Sequence, residues 1–288
     1  MRNTKFLAAA GVAVLLSMSP VFAADLPMRP TLPYAPPAPP EDPSGWYLRG
    51  DIGFSNQRAK RLDNALDATN LTSQQTLNFD TGGIFGVGVG YQVNNWFRAD
   101  VTGQYRGKSN FKGTDIVTFP VGGIVGNGIN NYGASKSELL FLANAYVDLG
   151  TWWCVTPFIG AGVGGSRVTI SGFTDTGLSN ARFGAGGLET GSFPSVASGA
   201  EVSKWNFAWA LHTGLAYKVS PNLTMELGYS YVNLGDGMTG DLKPFDGPGS
   251  VYNPTTFKNI TSHDVKLGVR WNLDSAPAYA PPPLIRKG

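Results

Sequence analysis

The sequence predicts an all-β protein, an eight-stranded antiparallel up-and-down transmembrane β-barrel with long surface loops and short periplasmic turns, and three observations predict it. About eight stretches alternate apolar and polar residues with period two, as in Trp46 to Ser55, where Trp46, Leu48, Ile52 and Phe54 share one face and Arg49, Asp51 and Ser55 the other. An export segment opens the chain, and no later apolar run is long enough for a membrane-spanning helix. The strand signals are joined by connections that are alternately short and long, the pattern of a barrel with turns on one side of a membrane and loops on the other. Strands left open at an edge cannot sit in lipid, so a spanning sheet must close.

Residues 1–23 have the export pattern: Arg2 and Lys5 charge the start, Phe6 to Leu16 form an apolar core too short to span a bilayer, and Val21-Phe22-Ala23 supplies a cleavage site after Ala23. Residues 24–44 are Pro-rich and read as an extended periplasmic tail. The barrel is expected over 45–273. Strand one is Gly45 to Ser55. Strand two, Gly82 to Gln92, sets Phe85, Val87, Val89 and Tyr91 outward against inward Gly86, Gly88 and Gly90. Strand three, Trp96 to Arg106, follows a turn of about three residues. Strand four, 137–150, puts Leu139, Phe141, Ala143, Ala145 and Val147 outside and Asn144, Tyr146 and Asp148 inside. Strand five is Thr156 to Val168. Strands six, Trp205 to Lys218, and seven, Leu223 to Asn233, flank Val219-Ser220-Pro221. Strand eight, 263–273, places Val265, Leu267, Val269 and Trp271 outward. A second Pro-rich tail, 274–288, closes the chain.

The long connections, 56–81, 107–136, 169–204 and 234–261, run for roughly 25 to 35 residues each, rich in Gly, Asn, Thr and Ser, and are expected as surface loops. Lys108, Lys112 and Lys136 against Asp115 make 107–136 mildly basic. Aromatic residues fall into two girdles, Trp46, Tyr91, Phe97, Trp152, Trp153, Tyr217 and Trp271 at the turn side and Phe54, Tyr105, Trp205, Tyr229 and Tyr231 at the loop side. The chain has 22 Lys and Arg against 20 Asp and Glu. Without Arg2 and Lys5 the remainder is balanced, which removes any electrostatic argument for nucleic acid. The single Cys154 excludes an intrachain disulfide and has no metal-spaced partner.

"ADLP" after the export segment, "LANAYVDLGTWW" followed by "TPFIGAGVG", and "NLTMELGYSYVNLGDG" resemble the small opacity-like, porin-family outer-membrane β-barrels and surface antigens of alphaproteobacteria. The resemblance spans about 45–273 and implies an integral outer-membrane barrel with exposed, variable loops. Such barrels often end in an aromatic residue that serves assembly. Here the last strand stops at Leu273 before a polar tail, leaving Trp271 in "GVRWNL" as the aromatic.

The ionisable side chains expected in the lumen are Arg49, Asp51, Arg98, Asp100, Arg106, Asp148, His212, Glu226, Asp264, Lys266 and Arg270. An eight-stranded barrel is just wide enough to be filled by its own side chains, so a closed, ion-paired core is expected ahead of a narrow conducting path beside the strand-two glycines. Three apparent motifs carry little. Gly160-x-Gly162-x-x-Gly165 lacks the helix a dinucleotide site needs. Ser262-His263-Asp264 alternates between opposite faces of a strand, so it cannot assemble a triad locally; His263 is nonetheless the first residue to test for lipid-modifying catalysis. His212 is expected inward and diagonal to Glu226, hydrogen-bonded and not a metal ligand or base. The expectation is a non-enzymatic barrel, without cofactor or metal, that presents surface loops for envelope integrity and surface interaction. Passive diffusion of small solutes comes second and lipid modification a distant third. Its expected partners are outer-membrane lipid and lipopolysaccharide, periplasmic chaperones and the barrel-assembly machinery during biogenesis, and a host or surface ligand at the loops, with no nucleic acid.

Overall fold

The computed structural model describes residues 44–67, 70–245 and 252–273. The export segment, nearly all of the N-terminal Pro-rich tail and the C-terminal tail lie outside them. The described strands are β1 (Gly45–Arg58), β2 (Arg61–Asn64), β3 (Thr72–Phe79), β4 (Gly82–Gln92), β5 (Phe97–Val121), β6 (Ile124–Asp148), β7 (Val155–Gly184), β8 (Gly187–Gly199), β9 (Val202–Lys218), β10 (Leu223–Pro244) and β11 (Pro254–Asn272). Eight of them close a ring of antiparallel pairs in the order β1, β4, β5, β6, β7, β9, β10, β11 and back to β1. Closure leaves no strand edge facing lipid, which is what allows a sheet to span a membrane.

Within the ring the period-two reading holds strand by strand. On β1, Tyr47, Asp51, Ser55 and Gln57 are buried while Trp46, Leu48, Ile52 and Phe54 are exposed. On β11, Asp264, Lys266 and Arg270 point in and Val265, Leu267, Val269 and Trp271 out. Glycines on the inner face of β7 answer to crowding across the lumen. A Cβ at Gly160 would overlap the Tyr146 ring, and one at Gly162 the Asn144 amide. The first two glycines of the spacing that mimics a nucleotide fingerprint therefore answer a packing requirement on a strand, while Gly165 lies on the outward face, where a Cβ would fit.

The long connections are not loops, and this corrects the expectation. Segments 107–136 and 169–204 are largely strand, as are most of 56–81 and 234–261. β5 and β6 rise 25 residues each and meet at Gly122-Gly123, whose φ angles of +53 and +83 suit a two-residue hairpin turn. β7 runs 30 residues and pairs with β8, which also pairs with β10. β2 continues along β11 and β3 along β5. Where β2 and β3 meet, the Gln75 side chain substitutes for a ladder: its amide nitrogen donates to the Leu62 carbonyl and its oxygen accepts from the Leu62 N–H, both at 2.8 Å.

In this upper storey the polarity of the wall inverts. The outer face now meets water and the inner face packs a core of Leu62, Phe111, Ile170, Phe173, Leu242, Phe257 and Ile260, joined by Leu77 and Phe79. The Phe111 ring lies 4.9 Å from both Phe79 and Phe257. Bulges make the exchange. Across the irregularity between Arg106 and Ser109, β5 changes which parity faces inward, so odd-numbered Tyr105 looks out and odd-numbered Phe111 looks in. Gly172 on β7, at φ +60, and Asn259 on β11, at φ +49, mark the same change.

Candidate functional site

The lumen is built in layers. At the turn side Arg98 pairs with Asp148 at 3.2 Å and Glu226 at 3.3 Å, its guanidinium 4.3 Å from the Tyr146 ring centre and 4.8 Å from that of Phe158. Arg270 joins Glu226 at 3.6 Å and donates to Gln92. The next layer centres on Arg49, which bridges Asp51 and Asp100, each at 2.9 Å, and reaches Glu226 at 3.4 Å. Tyr47 and Asn144 both donate to Asp100. Above it Arg106 grips Asp264 with two nitrogens, at 2.5 and 3.1 Å, and Ser262 donates to the same carboxylate. Lys136 pairs with Glu138, which also accepts from Gln57. The apolar core then seals the top.

All eleven ionisable residues expected in the lumen are buried or nearly so there. Two more belong with them. Lys136, expected on a surface loop, is instead buried beside Glu138. Its even-numbered phase with Glu138, Leu140, Leu142 and Asn144 was the available signal. Among the described residues, six lumen cations (Arg49, Arg98, Arg106, Lys136, Lys266, Arg270) face six carboxylates (Asp51, Asp100, Glu138, Asp148, Glu226, Asp264), so the formal charges of this membrane-level stack cancel. His212 also departs from expectation. It stands opposite Ser230, not diagonal to Glu226, because the β9–β10 register pairs Glu226 with Ala216. The Asn144 amide donates to Asp100 and Thr102, so its oxygen accepts from His212 Nε2 at 3.1 Å, and Nδ1 accepts from the Ser230 hydroxyl at 2.8 Å. The lumen void bordered by Arg49, Asp51, Tyr146, His212, Glu226 and Lys266 holds about 20 Å³, room for about one water.

Outside, the girdle residues Trp46, Tyr91, Phe97, Trp152, Trp153, Tyr217 and Trp271, and Phe54, Tyr105, Trp205, Tyr229 and Tyr231, all face away from the lumen. Ser262 and Asp264 point into the lumen while His263 points out and bonds the Tyr229 hydroxyl at 2.6 Å. The three residues do not form a triad.

At the extracellular mouth a cavity of about 200 Å³ is lined by Asp67, Asp115, Asp175, Asn130, Tyr132 and Asn253. Asp115 accepts from Ser73 and Gln75, whereas the buried Oδ1 of Asp175 has no hydrogen-bond partner. No described group of His, Cys, Asp or Glu is arranged to hold a metal ion. Burial, then the charges of Asp115 and Asp67, push the Asp175 carboxyl up to about 6. The folded state thus binds this proton more tightly than the unfolded chain, and stability falls as pH rises through the window from about 4 to about 6. Hydrogen exchange of the β7–β8 hairpin amides, corrected for intrinsic rates, should show protection increasing as pH drops through that window. Asp175→Asn should raise protection at neutral pH and flatten the profile; an unchanged profile would sink the assignment.

A closed eight-stranded ring with an outward apolar band, two aromatic girdles and a charge-paired interior defines an integral outer-membrane β-barrel. Residues 31–272 match the outer membrane protein beta-barrel domain family, and the chain belongs to that family. Among its relatives, the outer membrane protein PagN of Salmonella typhimurium (strain LT2) is 30% identical over 235 residues, covering 79% of this chain and 89% of PagN. An uncharacterized protein of Brucella abortus (strain 2308) is 29% identical over 238 residues, 78% of this chain and 79% of its own. Similar solved structures include Neisserial surface protein A, at 17% identity and TM-score 0.40 over 80% of this chain and 97% of that one, and OprG of Pseudomonas aeruginosa, at 12% and 0.43 over 80% and 96%.

Proposed function

We propose that this outer-membrane barrel is a non-conducting, non-catalytic scaffold whose extracellular hairpins are its working surface. The observation that carries the reading is the filled interior. Among the described residues, six cations and six carboxylates, an apolar cluster above them and a void of about 20 Å³ occupy the interior, which supports a lumen too full to carry a stream of water. Wide porins conduct because sixteen to eighteen strands enclose water; eight strands enclose side chains. What the barrel exports to the cell surface is a rigid, strand-built platform made of β2, β3, β8 and the upper halves of β5, β6, β7, β10 and β11. Such a platform suits surface interaction better than a mobile loop, since ordering it costs nothing further on binding. The separation of Ser262 and Asp264 from His263 supports a non-catalytic reading.

Purified protein reconstituted in planar bilayers should give no openings, or openings far below those of wide porins. Steady, water-filled conductance would overturn the proposal in favour of solute diffusion.

A further inference from the structure

The outer wall carries a cluster of cations where the apolar band ends. Ascending the outward face of β1, Trp46, Leu48, Ile52 and Phe54 give way to Asn56 and Arg58. On the neighbouring β11, Val265 gives way to His263 and Thr261, then to Lys258 beyond the Asn259 bulge. Register joins the two runs: Arg58 stands opposite Thr261, Arg61 opposite Lys258, and the Lys60 amide donates to the Lys258 carbonyl at 2.9 Å. Arg58, Lys60, Arg61 and Lys258 therefore occupy one patch of wall, above the aromatic platform of Phe54, Tyr229 and Tyr231, with Arg58 the second outward residue beyond Phe54 and the others higher still.

Neutralisation of this patch is incomplete. Arg61 is held by Asp63 at 2.8 Å and Lys258 by Asp236 at 3.4 Å, but among the described residues neither Arg58 nor Lys60 makes a salt bridge. Both are exposed. Lys204 of β9 reaches the same Asp236 carboxylate at 3.9 Å, whereas Lys108 and Lys112 on or beside the upper β5 wall and Arg167 on β7 stand apart from the patch. The opposite rim differs. Among the described residues at the turn end, no Lys or Arg lies on the outer wall: Arg98 and Arg270 turn into the lumen, and Lys218, in phase with Ala216 and opposite Thr224, lines the lumen mouth.

We infer that Arg58 and Lys60, supported by Arg61 and Lys258, form a binding site for the phosphates of an outer-leaflet glycolipid. The height selects the ligand. A group that keeps its acyl chains on Phe54, Val265 and Tyr229 places its phosphates at the level to which long Arg and Lys stems reach along the wall. An uncompensated pair of cations there meets anionic lipid favourably, and guanidinium suits the phosphate geometry. A soluble anionic partner would not require the cations to sit at the edge of the apolar band, nor to be concentrated on one rim.

The test uses the full chain, folded in detergent micelles and titrated with fluorescent bisphosphorylated lipid A or with the same lipid stripped of phosphate. The wild type should bind the phosphorylated lipid at least about tenfold more tightly. Each charge removed should weaken that binding by about fivefold, so Arg58→Gln with Lys60→Gln loses about 25-fold. Neither side chain packs in the core, and unchanged strand circular dichroism checks that the variant folds. Lys218→Gln, at the other rim, should bind as the wild type does. Equal affinity for the two lipids, an unaltered double variant, or an equal loss in Lys218→Gln would each overturn the site.

Discussion

Asp264→Asn is expected to cost about 3–5 kcal/mol of barrel stability, the usual penalty for leaving one member of a buried ion pair uncompensated. Arg106 and Asp264 are both 0% exposed, and the carboxylate takes two guanidinium nitrogens at 2.5 and 3.1 Å as well as the Ser262 hydroxyl at 2.5 Å. Asn keeps the shape but removes the charge, and Arg cannot shed its proton in response. The apolar core of Phe111, Phe257 and Ile260 lies between this layer and the outside, which keeps bulk solvent from screening the lost anion. Denaturant titration of the protein folded in vesicles measures the loss. The double replacement Arg106→Met with Asp264→Leu should recover most of it, since desolvating neither charge is then required. If Asp264→Asn cost less than about 1 kcal/mol, in the range of an exposed pair, the buried-pair description would be wrong.

Leu267→Arg should cost about 2–4 kcal/mol, because it sets a charge on the lipid face near the midplane. Leu267 is 45% exposed, flanked on the ladder by Ile52 and Leu227, whose side chains share that face. Its neighbour Lys266 points the other way, into the lumen beside the small void with Arg49 and Glu226. Lys266→Gln puts no charge in lipid and disturbs a network that contains other cations, so it should cost less. The same vesicle titration compares the two. A benign Leu267→Arg with a severe Lys266→Gln would mean that the β11 register is slipped by one residue, which exchanges every inward and outward side chain. Asp264 and Arg270 would then leave the lumen, and the Asp264→Asn result would fail with it.

Most of the ring was legible from residues alone, and the reason is specific. Lipid outside and a charged lumen inside impose opposite chemistry on alternate positions, so Trp46 to Ser55 or Asp264 to Trp271 display the strand directly. The alternation of short turns with long connections similarly distinguishes the two ends of the ring. The upper storey was not legible. There the outer face is solvated and the inner face apolar, and glycine-rich, threonine-rich sequence between two such environments looks like a loop. Lys136 sits at the border of the two environments, so only its phase with the buried positions that follow it marks it as a lumen residue.

What residues by themselves determined was the fold class, the compartment and the lipid or lumen face of each membrane-level position, because period two is a property of the local chain. What tertiary structure alone decided was partnership and inversion. Arg106 meets Asp264 across 158 residues, and His212 meets Asn144 rather than Glu226, through the register with which eight strands close. Tyr105 and Phe111 share a parity yet face opposite ways because of a bulge between them. The upper core rests on the same thing: Phe79 and Phe111 are ladder partners on β3 and β5, and closure of the barrel brings Phe257 of β11 against them.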